Sequence, residues 1–208
     1  MTGVSRDLLS GAASQVAPAL LGARLESGRG ADLVAVELTE VEAYEGLDDP
    51  ASHAYRGPTP RTAVMFGPAG HLYVYFVYGM HWCANIVCGP DGEAAAVLLR
   101  AGRVVAGQDV ARARRPAARF DAELGRGPAR LTQCLGLTGT DTGTDLLRPG
   151  APVRLTSLRT DEPAIAVGPR VGVAAAHEAE LRFWIDGDRS VSPYRRGSRQ
   201  SSRRGRQT

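Results

Sequence analysis

The sequence predicts an α+β fold, a single domain built on a curved, mainly antiparallel sheet flanked by short helices. Three observations lead there. The chain has 208 residues, 43% hydrophobic and 23% charged, enough for one sizeable core. Segments with strand character come in a run, are followed by helical ones, and then return, without the strict alternation of βαβ units. No internal repeat interrupts this order.

Residues 7–25 (DLLSGAASQVAPALLGARL) read as two short helical turns broken at Pro18, with Asp7 as N-cap and Leu8, Leu9, Val16, Leu20 and Leu21 as the apolar face. Residues 33–44 (LVAVELTEVEAY) are β-branched and partly alternating, which makes a strand that delivers Glu40, Glu42 and Tyr44 to one face. Residues 45–70 are rich in Gly, Pro, Asp and Ser and predict a long structured loop. Such loops are usually functional or disordered, and the rings and His53 within this one argue for function. Residues 71–78 (HLYVYFVY) and 82–87 (WCANIV) predict two strands around Gly79-Met80-His81, and 94–100 (AAAVLLR) a buried third ending in Arg100. Helices are expected at 106–115 and at 127–137, the second with Pro128 in its first turn, and strands at 151–158, 164–173 and 181–186. From Arg195 onward (RRGSRQSSRRGRQT) no apolar residue can join a core, so the domain is taken as 1–194 and 195–208 as a disordered, Arg-rich tail.

Composition narrows the chemistry. All 25 basic residues are Arg, which excludes a lysine Schiff base or a P-loop lysine. The net charge is +3, yet 189–208 holds seven Arg and no acid, leaving 18 Arg against 22 acidic residues before it. The basicity belongs to the tail, which suits either solubility or sequence-independent attraction to polyanions. Three cysteines, Cys83, Cys88 and Cys134, make no disulfide framework and fit a reducing compartment. No apolar run approaches the ~20 residues that span a bilayer, and the first ten residues lack a signal-peptide core. A cytoplasmic protein with no membrane partner is expected.

Eight of the twelve aromatic residues fall between Tyr44 and Trp82, close to Glu42 and Asn85. Rings and polar heads packed together suit a pocket that grips something flat. Enzymes that act on a base in duplex DNA rotate it out of the stack into such a pocket, where each stacking contact is worth ~1–3 kcal/mol. His81, Cys83 and Cys88 come nearest to a zinc set but lack a second ligand pair, so no metal and no cofactor are expected.

The segments VEAYEG (41–46), ASH (51–53), TPRTAVMFGPAGHLYVYFVYGMHWCANIV (59–87), VLLRAG (97–102), GPARLTQCLGL (127–137) and GPRVGV (168–173) closely resemble the alkyladenine, or methylpurine (3-methyladenine), DNA glycosylase family over roughly residues 7–194. The resemblance implies a base-excision repair enzyme that flips an alkylated or deaminated purine from duplex DNA and hydrolyses its N-glycosidic bond. The absence of lysine leaves no Schiff base with the sugar, so a monofunctional enzyme is expected, as are a monomer and a nucleoid-associated place in a bacterial cell. Glu42 resembles the general base, with Arg100 and the carbonyl of Val171 helping to hold the attacking water. Tyr44, His53 and Tyr75 resemble the walls of the base pocket, and Asn85 the residue that crowds out guanine. Tyr78, beside Gly79 and Met80, resembles the wedge that fills the gap in the duplex, and Thr59 and Arg61 look like backbone-positioning contacts. In a regular strand Tyr75 and Tyr78 would point to opposite faces, as those roles require. Thr62, Ala63 and His81 depart from the family pattern.

Other residues have plainer readings. Glu37 and Glu40 read as solvated strand carboxylates, Tyr73 and Phe76 as core, and Arg112, Arg114 and Arg115 as a solvated helix face. His71, His81 and His177 read as structural or surface residues. Two rival functions use the same pocket: a non-catalytic damaged-DNA-binding module, which has no use for Glu42, and, more distantly, a hydrolase of free nucleosides, which has none for Tyr78.

Overall fold

The computed structural model describes residues 3–159 and 163–197. Its strands β1 (Arg24–Ser27), β2 (Val34–Tyr44), β3 (Leu72–Val77), β4 (His81–Cys88), β5 (Ala95–Ala106), β6 (Val153–Ser157), β7 (Ile165–Gly168) and β8 (Arg182–Ile185) form one open antiparallel sheet. The order is β3-β4-β5-β2-β1-β6, and β8 pairs with β2 and β7. Among the described residues four α-helices accompany it: α1 (Arg6–Leu9), α2 (Ala13–Ala19), α3 (Gln108–Arg114) and α4 (Pro128–Leu135). The expected α+β, single-domain architecture is the one observed.

The two-residue period of the central strands sorts their side chains into two compartments. Val41 and Ala43 of β2, Leu72 and Val74 of β3, Ala84 and Ile86 of β4, and Val97 and Leu99 of β5 enter the main core, together with buried residues of α2 and α4. The intervening residues face the other way. They are Glu40, Glu42 and Tyr44, Tyr73 and Tyr75, Cys83 and Asn85, and Leu98 and Arg100. Ala54 and Met65 from the long 45–70 loop cover part of this second face, packing on Tyr73, Val87 and Ala96 in a smaller apolar cluster. One strand set thus supplies a core on one side and a polar cavity on the other.

The N-terminal region differs from the sequence expectation. Ser5, not Asp7, caps α1, its hydroxyl accepting from the Leu8 N–H at 3.2 Å. The break falls between α1 and α2 at Ser10–Ala12, and Pro18 lies inside the last turn of α2. Arg24 and Leu25 belong to β1 rather than to a helix, because pairing with β2 and β6 satisfies their backbone on both edges. β5 runs six residues past Arg100, so that residue is internal to the strand, and β7 covers only part of 164–173.

The loop after β2 is tied back to the N-terminus. The Glu45 carboxylate accepts from the Ala13 and Ser14 N–H groups at 3.1 and 2.7 Å, capping α2 from a distance. The next residue, Gly46, has φ of +68°, and a Cβ there would run into the Ala94 carbonyl. Gly46→Ala should therefore lower the unfolding free energy by more than ~1 kcal/mol. Urea midpoints for the two proteins check this, and an unchanged midpoint would contradict it.

Candidate active site

The second face of the sheet encloses a cavity of about 270 Å³ whose lining includes Tyr44, His53, Tyr73, Tyr75, Asn85, Arg100 and Val171, with Tyr78 at its edge. Glu42 is 0% exposed and lies behind Tyr44, Arg100 and Val171. Its Oε1 accepts from the Val171 N–H at 2.6 Å and lies 3.2 Å from Arg100 Nη1, while Oε2 accepts from the Tyr44 hydroxyl at 2.9 Å. Oε2 carries a single donor from these groups, so a lone pair remains for one more hydrogen bond. The Val171 N–H, rather than its carbonyl, meets this carboxylate.

Burial raises the Glu42 carboxyl above the usual carboxylate range. Arg100, the Val171 N–H and the Tyr44 hydroxyl oppose that shift without cancelling it, and the nearby Glu40 charge adds to it. The ionised form is thus disfavoured in the fold. A group of this kind stabilises the protein below the ordinary carboxylate value of 4.5 and loses that contribution as pH rises through its raised value. Glu42→Gln is accordingly expected to raise Tm at pH 7, with the gain shrinking towards pH 4. Scanning calorimetry at both pH values reads this, and a lower Tm at pH 7 would contradict it.

Glu40 behaves in the opposite way. The sequence reading as a solvated carboxylate is incorrect, because Glu40 is wholly buried. Burial pushes its carboxyl up, but Arg100, Arg182 and the Ser192 N–H outweigh burial and hold it below the usual range. Its stabilising contribution is present above 4.5 and lost as pH falls through the lowered value. Glu37 does lie at the surface, paired with Arg103 at 2.6 Å.

The aromatic walls are locked together. Tyr73 and Tyr75 stack with centroids 5.5 Å apart at 28°, and His53 meets Tyr75 edge-on at 4.5 Å and 82°. The His53 Nδ1 lies 3.2 Å from the Tyr73 hydroxyl. Desolvation, then the Arg61 guanidinium, lower the His53 pKa, favouring the neutral ring. The Asn85 Nδ2 donates to the Tyr73 carbonyl at 3.1 Å, which fixes the amide's orientation. Tyr73 is therefore both buried, as expected, and a pocket wall. Phe76 is not core: it is 46% exposed and leans on Trp82 with centroids 4.7 Å apart. It lies near the end of β3, where the sheet offers little to cover it.

Tyr78 is 81% exposed and Met80 67%, both on the turn between β3 and β4. Tyr78 and Gly79 have φ of +53° and +67°, so Tyr78 leaves the sheet through a left-handed turn rather than by strand alternation. That conformation is costly for a bulky side chain and is retained mainly where a function uses it. Arg61 is exposed, and its guanidinium lies 5.4 Å over the Tyr75 ring. Thr59 is engaged with Thr62, the two hydroxyls 2.9 Å apart and the Thr59 N–H donating to Thr62 Oγ1 at 3.0 Å.

Sequence reasoning missed Asp49, Arg170, Arg182 and Ser192. Arg170 is buried beneath Tyr44, its guanidinium carbon 4.6 Å from the ring centroid. It makes a two-pronged pair with Asp49 and donates to the Ala43 carbonyl at 3.0 Å. Asp49 in turn accepts from the Glu45 and Ala51 N–H groups, shaping the loop that leads to His53. The signal for Arg170 lay in GPRVGV, where it adjoins Val171. Nothing in the sequence marks Ser192. Among the described residues no cluster of three or more His, Cys, Asp or Glu could hold a metal, and no helix is long and apolar enough to cross a membrane. Most of the tail, residues 198–208, lies outside the described residues, while the Arg195 carbonyl accepts from the Gly172 N–H at 2.9 Å.

Residues 7–189 match the sequence profile described as methylpurine-DNA glycosylase (MPG). The chain is 53% identical over 187 residues to a protein of Frankia casuarinae, covering 85% of this chain and 86% of that one. It is 56% identical over 187 residues to one of Nocardia farcinica, covering 86% of each, and 49% identical over 197 residues to one of Streptomyces avermitilis, covering 93% and 92%. All three carry the name "Putative 3-methyladenine DNA glycosylase".

Proposed function

This chain belongs to the methylpurine-DNA glycosylase family, and from that premise we propose that it turns a damaged purine out of duplex DNA and hydrolyses its N-glycosidic bond with water activated by Glu42. The family makes it a DNA glycosylase. The observation that carries the finer reading is a wholly buried carboxylate behind an aromatic cavity, held by Arg100, Val171 and Tyr44 with one lone pair to spare.

In this reading the extruded base stacks among Tyr44, His53 and Tyr75. Glu42 takes a proton from water, the water oxygen bonds to the anomeric carbon, and the C–N bond breaks with its electron pair leaving on the base. A cationic N3- or N7-alkylated purine departs neutral and is also favoured by the π-faces of the pocket. Neutral hypoxanthine must first gain a proton. The raised Glu42 carboxyl supports this role, because a stronger base is a better proton acceptor, and activity is expected to fall as pH drops through that value. Asn85 crowds a guanine 2-amino group, Tyr78 with Met80 wedges the duplex, and Thr59 and Arg61 meet the backbone. With no lysine in the sequence to form a Schiff base, the enzyme stops at an abasic site.

Duplex DNA treated with dimethyl sulfate, and a duplex containing inosine, test the reading. Incubation should release free purine and leave breaks that appear only after alkali. Breaks before alkali would overturn the monofunctional assignment, and binding without any release would leave a damage-binding module.

A further inference from the structure

Two wholly buried carboxylates, Glu40 and Glu42, share Arg100, which itself lines the cavity. Glu40 Oε1 accepts from Arg100 Nε at 2.7 Å and from Arg182 Nε at 2.7 Å. The rest of the cage comes from a segment far along the chain: the Ser192 N–H donates to Glu40 Oε2 at 2.7 Å and its hydroxyl to Oε1 at 2.9 Å. Arg100 Nη2 reaches the Ser192 hydroxyl at 3.1 Å, and Arg182 Nη2 the Ser192 carbonyl at 2.8 Å. Ser190 anchors the same segment, its hydroxyl 2.7 Å from that of Thr39 on β2. Arg100 is thus gripped on two nitrogens by Glu40 and Ser192, and its third, Nη1, is left on Glu42 at 3.2 Å.

We propose that Glu40 and the Ser190–Ser192 strap are positioning residues for the reaction, fixing the Arg100 guanidinium so that it charges Glu42 by a set amount. This rests on Glu42 being the base. Glu40 neutralises much of Arg100, which keeps that cation from holding Glu42 too firmly ionised to accept a proton. Ser192 stops the guanidinium from pivoting about its bond to Glu40. The groups facing Glu42 are Glu40 and Tyr44 on β2, Tyr75 on β3, Cys83 on β4, Arg100 on β5, and Arg170 with the Val171 N–H on the loop after β7. Of these, Glu40 and Arg100 are held by the strap, and Arg100 is the one that carries its grip to Glu42.

The test is the single-turnover rate of purine release from dimethyl-sulfate-treated duplex across pH, at saturating protein, for wild type, Ser192→Ala, Glu40→Gln and Glu42→Gln. Ser192→Ala keeps the backbone N–H on Glu40 and both arginine pairs, so it folds. Its rate should fall about tenfold with DNA affinity unchanged. Its acid limb should move up by about half a pH unit, because a slackened Arg100 supports the Glu42 carboxylate less. Glu40→Gln should move the limb down, since it removes the charge that raises Glu42. An inactive Glu42→Gln beside a Ser192→Ala with wild-type rate and limb would overturn the strap alone, as would a lower Tm with the limb unmoved. Wild-type rate in Glu42→Gln would instead sink the catalytic reading.

Discussion

Replacing Arg170 by Met should remove ~3–5 kcal/mol of unfolding free energy, the usual consequence of stripping one partner from a buried ion pair. Neither side chain has a solvent route to compensate: that of Arg170 is 0% exposed and that of Asp49 5%. Burial pushes the Asp49 carboxyl up, but Arg170 together with the Ala51 and Glu45 N–H groups outweighs it and holds that carboxyl below the usual range, so this contribution is present above 3.8 and lost as pH falls through the lowered value. Met fills much of the volume but leaves Asp49 buried and charged and takes the cation from beneath Tyr44. Thermal and urea unfolding at pH 7 measure the loss, expected as a Tm drop on the order of 10 °C. A change below ~1 kcal/mol would show that the pair does not hold the 45–53 loop against the sheet. Because Asp49 also orders the backbone that leads to His53, purine release should fall along with stability.

Glu42→Gln should slow purine release by ~10²–10⁴-fold, the range over which a positioned general base contributes. Gln keeps the shape of Glu and can still meet the Val171 N–H and the Tyr44 hydroxyl, while Arg100 retains Glu40. What it loses is the ability to accept a proton from water. The loss should appear in the single-turnover rate, with affinity for methylated duplex within a few-fold of wild type. Combined with the higher Tm expected at pH 7, this variant would be less active and more stable, the pattern of a site that stores an unfavourable charge for its chemistry.

The parts of this architecture that depend on local periodicity were legible in the sequence. Alternation in 33–44 and 71–78 gave both the strands and the shared side of Glu42 and Tyr44, and the clustering of rings pointed to the cavity before any motif was matched. What the sequence hid depends on pairs far apart in the chain. Glu40 has the same local pattern as an exposed strand carboxylate, and its burial is decided by Arg100, Arg182 and Ser192, which lie 60, 142 and 152 residues away. Arg170 is a similar case: its burial is decided by Asp49, 121 residues away. Phe76 departs from the core expectation for a different reason, since β-propensity says that a ring suits a strand but not whether anything covers that strand's end. Tyr78 departed from strand alternation because two successive left-handed residues close its turn.

Glu42 is the group that converts a grip on a damaged base into a cut in the proposed reaction. That role is tested most directly by binding wild type and Glu42→Gln to the same dimethyl-sulfate-treated duplex at saturating protein and counting alkali-revealed breaks over time. Equal binding is expected, with breaks that accumulate for wild type and almost none for Glu42→Gln. Breaks that accumulate equally in both would contradict it.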